Sequence, residues 1–285
     1  MIEQRIDPPQ PLVGLTIDGT TVGVPVGRTV LDACRELGID LPTLCYLETL
    51  TPVNVCRVCV VEVEGSRTLV PACSRRVEAG MVVATGSPRV EHSRRLVFEL
   101  LASSVDLSLL DHTTVAWMEV SGVDVDRFDA PLATRSQSVK IQDDLYVRDY
   151  EKCILCYKCV QACGDEAQNT FAIALAGRGF TATISTEFDV ALPDSACVYC
   201  GNCVGVCPTG ALMGKVQFDL RAAGSWDESH QSVTTTICPF CGVGCNLEMR
   251  VQDGAIVDVT SPLDHSVTSG HLCIKGRFGW QHIST

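Results

Sequence analysis

The chain has 285 residues, 46% of them hydrophobic, and a formal net charge of −12. That apolar content excludes a chain disordered throughout, and the acidic balance argues against nucleic acid or an anionic membrane surface as partner. No apolar run approaches the ~20 residues of a spanning helix. The length leaves room for two or three small domains. Residues 1–10 have no charged-then-apolar leader pattern, and the pairs Arg75-Arg76 and Arg94-Arg95 lie far inside the chain. A cytoplasmic location is expected. Seventeen cysteines, an odd number with tight spacings, point to metal ligation in a reducing compartment rather than to disulfides.

Leu12 to Pro25 alternates around Asp18-Gly19, which predicts a two-stranded hairpin. Thr29 with Asp32 makes a capping box that starts a helix, and Gly38 stops it. Cys34 falls inside that helix on its apolar side, with Val30, Leu31 and Leu37, and reads as a small buried hydrophobe. Then come Cys45-x10-Cys56-x2-Cys59-x13-Cys73, with a strand over Val58 to Val63 and a turn at Glu64-Gly65. A hairpin, a helix and a cysteine-bearing loop on a small mixed sheet is the β-grasp layout of [2Fe–2S] ferredoxins, although the spacing is not the plant-type one. The expected ligands are Cys45, Cys56, Cys59 and Cys73. Arg57 reads equally as a hydrogen-bond donor near that cluster or as a surface arginine.

Residues 1–103 are assigned to this domain with its trailing helix, Glu91 to Ser103, whose expected apolar face is Leu96, Val97, Leu100 and Leu101. Residues 104–140 read as a connecting segment with a short helix. His112 stands alone there, which fits a surface residue better than a ligand.

Residues 141–219 hold Cys153-x2-Cys156-x2-Cys159-x3-Cys163 and Cys197-x2-Cys200-x2-Cys203-x3-Cys207-Pro208. Two such runs predict a ferredoxin-like domain with two [4Fe–4S] clusters, the fourth cysteine of each run reaching the other cluster. Cys153, Cys156, Cys159 and Cys207 then hold one, and Cys163, Cys197, Cys200 and Cys203 the other. Zinc, usually served by two cysteine pairs, fits eight cysteines in crossed quartets poorly. Ala167 to Ala176 reads as a helix or strand spacer, Asp165, Glu166 and Glu187 as solvated charges, and Ala211-Leu212-Met213 as the opening of a helix. Residues 220–232 read as a linker. In residues 233–285 a strand over Thr234 to Ile237 enters Cys238-x2-Cys241-x3-Cys245-x27-Cys273, and a hairpin turns at Asp253-Gly254. Cys238, Cys241, Cys245 and Cys273 are expected to hold a third [4Fe–4S] cluster, with a zinc ribbon as the alternative. The expected class is α+β, with a β-grasp domain, a double-cluster ferredoxin-like domain and a small β-rich domain. No flavin or pterin is expected to be enclosed, and no catalytic residue is assigned.

The x10/x2/x13 spacing is similar to that of the large iron–sulfur subunit of respiratory complex I. The first 215 residues also resemble the small iron–sulfur subunit of NAD-linked nickel–iron hydrogenase diaphorases. The last 50 look like the domain that opens molybdopterin oxidoreductases, and Cys273-Ile274-Lys275-Gly276-Arg277-Phe278-Gly279 is most like NAD-linked molybdenum or tungsten formate dehydrogenase α-subunits. The resemblance implies an electron-relay role for Lys275, against the reading of an ordinary exposed lysine. It implies that a histidine-and-three-cysteine cluster of the relatives has been lost, its positions falling on Ser104, Ser108, Asp111 and Trp117. The pterin-binding catalytic domains of those enzymes would follow Trp280, so formate oxidation is not carried over. The expectation is an electron-transfer subunit between a flavin/NAD(H) subunit and a catalytic subunit, a molybdopterin protein or a nickel–iron hydrogenase, docking at the C-terminal domain. The alternatives are the relay subunit of an NAD-linked, bifurcating or simple, hydrogenase, and the N-terminal piece of a split formate dehydrogenase.

Overall fold

The computed structural model describes residues 10–128 and 137–284. The first nine residues of the expected β-grasp segment, residues 129–136 of the connecting segment and Thr285 lie outside the described residues. The chain divides into two compact units. One takes in the chain up to Leu44, with Asn54–Leu100 and Thr113–Arg127; the other takes in Cys45–Val53, Leu101–His112 and the chain from Phe128.

In the first unit, β1 (Leu12–Ile17) and β2 (Thr20–Pro25) pair antiparallel, Ile17 opposite Thr20. Asp18 and Gly19 both have positive φ, 46° and 82°, as a two-residue hairpin turn of this hand requires. Helix α1 (Val30–Glu36) starts on the expected box: the Asp32 N–H donates to Thr29 Oγ1 at 3.2 Å and the Thr29 N–H to Asp32 Oδ2 at 2.9 Å. With β3 (Val60–Val63), β4 (Val70–Pro71) and β5 (Val82–Ala84) the strands form a five-stranded sheet in the order β2-β1-β5-β3-β4. The β1–β5 pairing is parallel and its neighbours are antiparallel, so the sheet is mixed as expected.

Helix α2 (Pro88–Ala102) departs from the expected face. Val90, Phe98 and Glu99 are its buried residues, while Leu100 is 43% exposed. The buried stripe is turned because Arg94, one turn before Phe98, reaches inward to the carbonyls of Val58 (3.1 Å) and Val60 (2.8 Å). The Glu99 carboxylate is met by Arg127 Nη1 at 2.7 Å and Arg95 Nε at 3.9 Å, so its burial is compensated by opposite charge. Helix α3 (His112–Val120) follows.

In the second unit, β6 (Lys140–Ile141) and β7 (Tyr146–Arg148) lead into α4 (Lys158–Cys163). The spacer resolves as a strand: β8 (Ala174–Ala176) pairs with β9 (Thr183–Ser185). After α5 (Asn202–Gly205) comes β10 (Leu212–Gly214), where a helix was expected, and α6 (Lys215–Ala222) begins only at its end. Leu212 and Met213 are buried and their backbone pairs with β7, Leu212 opposite Arg148; that long-range pairing overrides local helix preference. Tyr146, Tyr150, Ile173, Ile184, Leu192 and Leu212 form the core between these elements.

The remaining strands, β11 (Gln231–Ile237), β12 (Asn246–Gln252) and β13 (Ala255–Thr260), make an antiparallel sheet in that order. The strand entering the last cysteine group thus starts at Gln231 rather than Thr234, held by full pairing to β12. The preceding linker is fastened to this sheet, Gln252 Nε2 donating to the Ser225 carbonyl at 2.6 Å. Helix α7 (Ile274–Phe278) closes the sheet end over Leu247, Val259, Leu272 and Trp280. Among the described residues no helix is long and apolar enough to cross a membrane.

Among the described residues Phe98 is the largest fully buried side chain. Phe98→Ala should lower stability by about 3–5 kcal/mol, as large-to-small aromatic truncations do. Denaturation followed by circular dichroism checks this; an unshifted midpoint would show that Phe98 does not anchor the helix.

Candidate metal centres

The two cysteine runs of the second unit are bent in the same way. Leu155 (φ 53°) and Tyr157 (φ 64°) are left-handed in the first run, and Tyr199 (φ 55°) and Gly201 (φ 73°) at the matching positions of the second. Such reversals aim successive backbone N–H groups into one concavity. The N–H groups of Leu155, Lys158 and Asn202 face Cys153, Cys156 and Cys200 and favour their anions, and the Tyr199 N–H donates to Cys197 Sγ at 3.4 Å. Cys163 Sγ accepts from the Ala172 N–H at 3.2 Å.

Cys153, Cys156, Cys159 and Cys207 line one small cavity, with Tyr150, Ile154 and Ile184 among the other walls. Cys163, Cys197, Cys200 and Cys203 line a second, with Tyr146, Arg148 and Ile173. Each cavity is thus walled by three cysteines of one run and the fourth of the other.

Burial pushes the Cys153 thiol up to about 11 and Cys156 up to about 12. Cys159, Cys197, Cys200 and Cys203 are also raised, burial being the largest cause and neighbouring sulfurs adding to it. A thiolate persists in such a cavity only beside compensating positive charge. Among the described residues no three His, Cys, Asp or Glu side chains converge to hold a single ion. Four sulfurs drawn from two runs around one cavity, with N–H groups aimed at them, fit an iron–sulfur cluster, whose irons would supply that charge.

In the C-terminal group the Cys238 N–H donates to the Cys245 carbonyl at 2.8 Å, closing the loop. Cys273 caps α7. Cys238 is buried, Cys245 half-buried, and Cys241 and Cys273 are exposed. Burial first, then Cys238, Cys241 and Cys273, raise the Cys245 thiol. Lys275 is exposed, two residues beyond Cys273.

In the first unit Cys59 and Cys73 are buried and Cys56 half-buried, while Cys45 is buried within the Cys45–Val53 segment of the second. Arg57, left-handed at φ 63°, is exposed. Trp117 Nε1 donates to Asp40 Oδ2 at 2.8 Å. Asp106 pairs with Lys152, and its N–H donates to the Glu151 carbonyl at 3.0 Å; the stretch carrying Ser104 and Ser108 is thereby tied to the start of the first cysteine run. His112 is exposed, 3.7 Å from Glu228.

Three inward-turned arginines carried no role in the sequence reading. Arg94 fastens α2 to the strand after Cys59. Arg148, 3% exposed, lines the Cys163 cavity and donates to Gln142. Arg277, also 3% exposed, donates from Nη1 to the Val259 carbonyl at 3.1 Å. Arginine occurs mostly at surfaces, and nothing local in the chain signals Arg94 or Arg148 as exceptions. The one hint for Arg277 is its place four residues after a ligand-type cysteine.

Comparisons with known proteins agree with this geometry. Residues 10–88 match a 2Fe-2S iron-sulfur cluster binding domain, 152–211 a 4Fe-4S dicluster domain, and 231–285 the molybdopterin oxidoreductase Fe4S4 domain. The chain is an α+β iron–sulfur protein built of these three domain types. A subunit of an NADH-quinone oxidoreductase of Rhizobium meliloti is 35% identical over 96% of this chain and 32% of its own length. The NADP-reducing hydrogenase subunit HndD of Solidesulfovibrio fructosivorans is 42% identical over 71% of this chain and 36% of its own. A chain of an NAD+-reducing [NiFe]-hydrogenase crystal structure superposes with a TM-score of 0.63 at 25% identity, covering 71% of this chain and 87% of that one. An NADPH-Fe(3+) oxidoreductase alpha subunit of Geobacter sulfurreducens is 34% identical over 96% of this chain and 32% of its own length. The chain spans about a third of the length of the relatives it matches most fully (32%).

Cys34 is fully buried, and burial, with Asp18 behind it, pushes its thiol from 9.0 to about 12. The neutral thiol therefore stabilises the fold below pH 9, and that contribution falls as pH rises from 9 toward 12. Cys34 should resist iodoacetamide at pH 8.5 in the native protein and react in urea, as peptide mass mapping would show. Labelling at equal rates in both would contradict its burial.

Proposed function

We propose that the chain is an electron-relay subunit carrying one [2Fe–2S] and three [4Fe–4S] clusters between two larger partners. The observation that carries this is the pair of adjacent cavities, each walled by four thiols drawn from both cysteine runs. Cys45, Cys56, Cys59 and Cys73 would hold the [2Fe–2S] cluster. Cys153, Cys156, Cys159 and Cys207 would hold one [4Fe–4S] cluster, Cys163, Cys197, Cys200 and Cys203 the second, and Cys238, Cys241, Cys245 and Cys273 the third. Such clusters, when bound, take up and release single electrons.

The chain's own residues set the conditions for this. Ile173, Ile184, Leu192 and Leu212 keep water from the two central cavities. The N–H groups of Leu155, Lys158, Tyr199 and Asn202 offset sulfur charge and favour the reduced form. Cys241 and Cys273, exposed beside Lys275, make the C-terminal group the natural exit toward a catalytic partner. Lys275 would act on that outward path. The input side would face a flavin subunit exchanging hydride with NAD(H), in the cytoplasm. With Ser104, Ser108, Asp111 and Trp117 in place of the relatives' histidine and cysteines, electrons would pass from the [2Fe–2S] domain (residues 1–103), past the connecting segment (104–140), to the two-cluster domain (141–219). They would then pass the linker (220–232) and reach the last domain (233–285).

The catalytic partner is proposed to be a formate-dehydrogenase-like molybdopterin protein, in keeping with the match over residues 231–285. A nickel–iron hydrogenase is the second reading, favoured by the fold match that covers 87% of a hydrogenase chain. Molybdenum or tungsten in the copurified complex supports the first, nickel the second.

Anaerobically purified protein should contain about 14 irons per chain; about ten or fewer would sink the four-cluster assignment. In the intact complex, Cys241→Ser should cut turnover at least tenfold while leaving flavin-side reduction of the other clusters intact. Unchanged turnover would take the terminal cluster out of the path.

A further inference from the structure

Arg277 is buried, yet among the described residues its guanidinium is seen to donate to the Val259 carbonyl, and its Nε meets no partner there. Holding a cation this way is unfavourable unless opposite charge lies near. Asp258 is one such neighbour, and Cys200 and Cys203 are others. The side chain runs from α7 across to the loop carrying those two cysteines. A Cβ on Gly201 would collide with Arg277 Cδ, and one on Gly205 would lie 2.9 Å from Nη2. The two glycines thus provide the space the arginine fills.

Two further contacts join the same segments. Buried Asn202 accepts from the Leu272 N–H at 2.9 Å. The Phe278 ring centroid lies 5.3 Å from that of Tyr146, which lies 5.5 Å from Tyr199. The segment that carries Cys273 is therefore docked on the loop that carries Cys200 and Cys203.

We infer that Arg277 is a positioning residue of the relay: it seats the Cys273 helix on the Cys200–Cys203 loop, and its buried charge raises the reduction potential of the cluster those cysteines share with Cys163 and Cys197. This rests on the relay reading above. Reduction adds one electron, and no proton, to that cluster, so a fixed cation favours the reduced form. Asp258 weakens the effect, and Arg148, in the wall of the same cavity, adds to it.

The test is a dithionite titration of the full, cluster-loaded chain followed by electron paramagnetic resonance. In Arg277→Met the midpoint of this cluster should move negative by at least a tenfold change in equilibrium, about 59 mV for one electron. Arg277→Lys should restore most of it, at unchanged iron content. Gly205→Ala keeps the charge but displaces the guanidinium, and should move the same midpoint negative. It should also weaken the magnetic broadening between this cluster and the C-terminal one. Where Arg277→Met loses iron, Gly205→Ala decides. An unmoved midpoint in whichever variant retains full iron overturns the proposal. Failure of the relay reading itself is distinct, since it appears as missing iron or missing signals in the unaltered protein.

Discussion

The sulfurs lining the two central cavities have to be anionic to bind iron, and burial resists this at Cys153, Cys156, Cys159, Cys197, Cys200 and Cys203. Cys153 and Cys156, pushed up to about 11 and 12, show how strongly the core holds such thiols neutral. The rest of the central fold answers that constraint. Left-handed residues at matching places in the two runs turn backbone N–H groups toward sulfur, which tolerates negative charge without exposing it to water. The positive charge of bound iron has to supply the remainder. Folding of this region and loading of its clusters are therefore coupled.

The crossed arrangement follows from chain geometry. Helix α4 places Cys159 and Cys163 a turn apart, and α5 ends just before Cys207. The first three sulfurs of each run line one cavity and the last, carried a turn further on, lines the other. Strand β10, pairing with β7, brings Leu212 under both cavities. The two sites share that wall, and through Arg277 and Asn202 the second also shares a boundary with the Cys273 helix. Neighbouring sites thus share structural members.

Much of this was legible in local sequence. The Asp18-Gly19 turn, the Thr29–Asp32 box and the Asp253-Gly254 hairpin involve residues adjacent in the chain, and local conformational preference was sufficient. Leu212-Met213 was misread because its strand state depends on β7, more than sixty positions earlier. The α2 face was misread because Leu100 and Leu101 satisfy the apolar period as well as Phe98 does, and Arg94 decided the rotation by reaching the Val58 and Val60 carbonyls.

By itself the sequence determined where the cysteines fall along the chain, and that their x2 and x3 spacings suit clusters. Such spacings act over a few residues, where chain connectivity alone limits what the sulfurs can reach. Tertiary structure alone decided what surrounds each quartet. The inward reach of Arg94, the burial of Arg148 and Arg277, the fit of Arg277 into the space at Gly201 and Gly205, and the exposure of Cys241 and Cys273 arise between segments far apart in the chain. Charge and water exclusion around a cluster depend on those meetings.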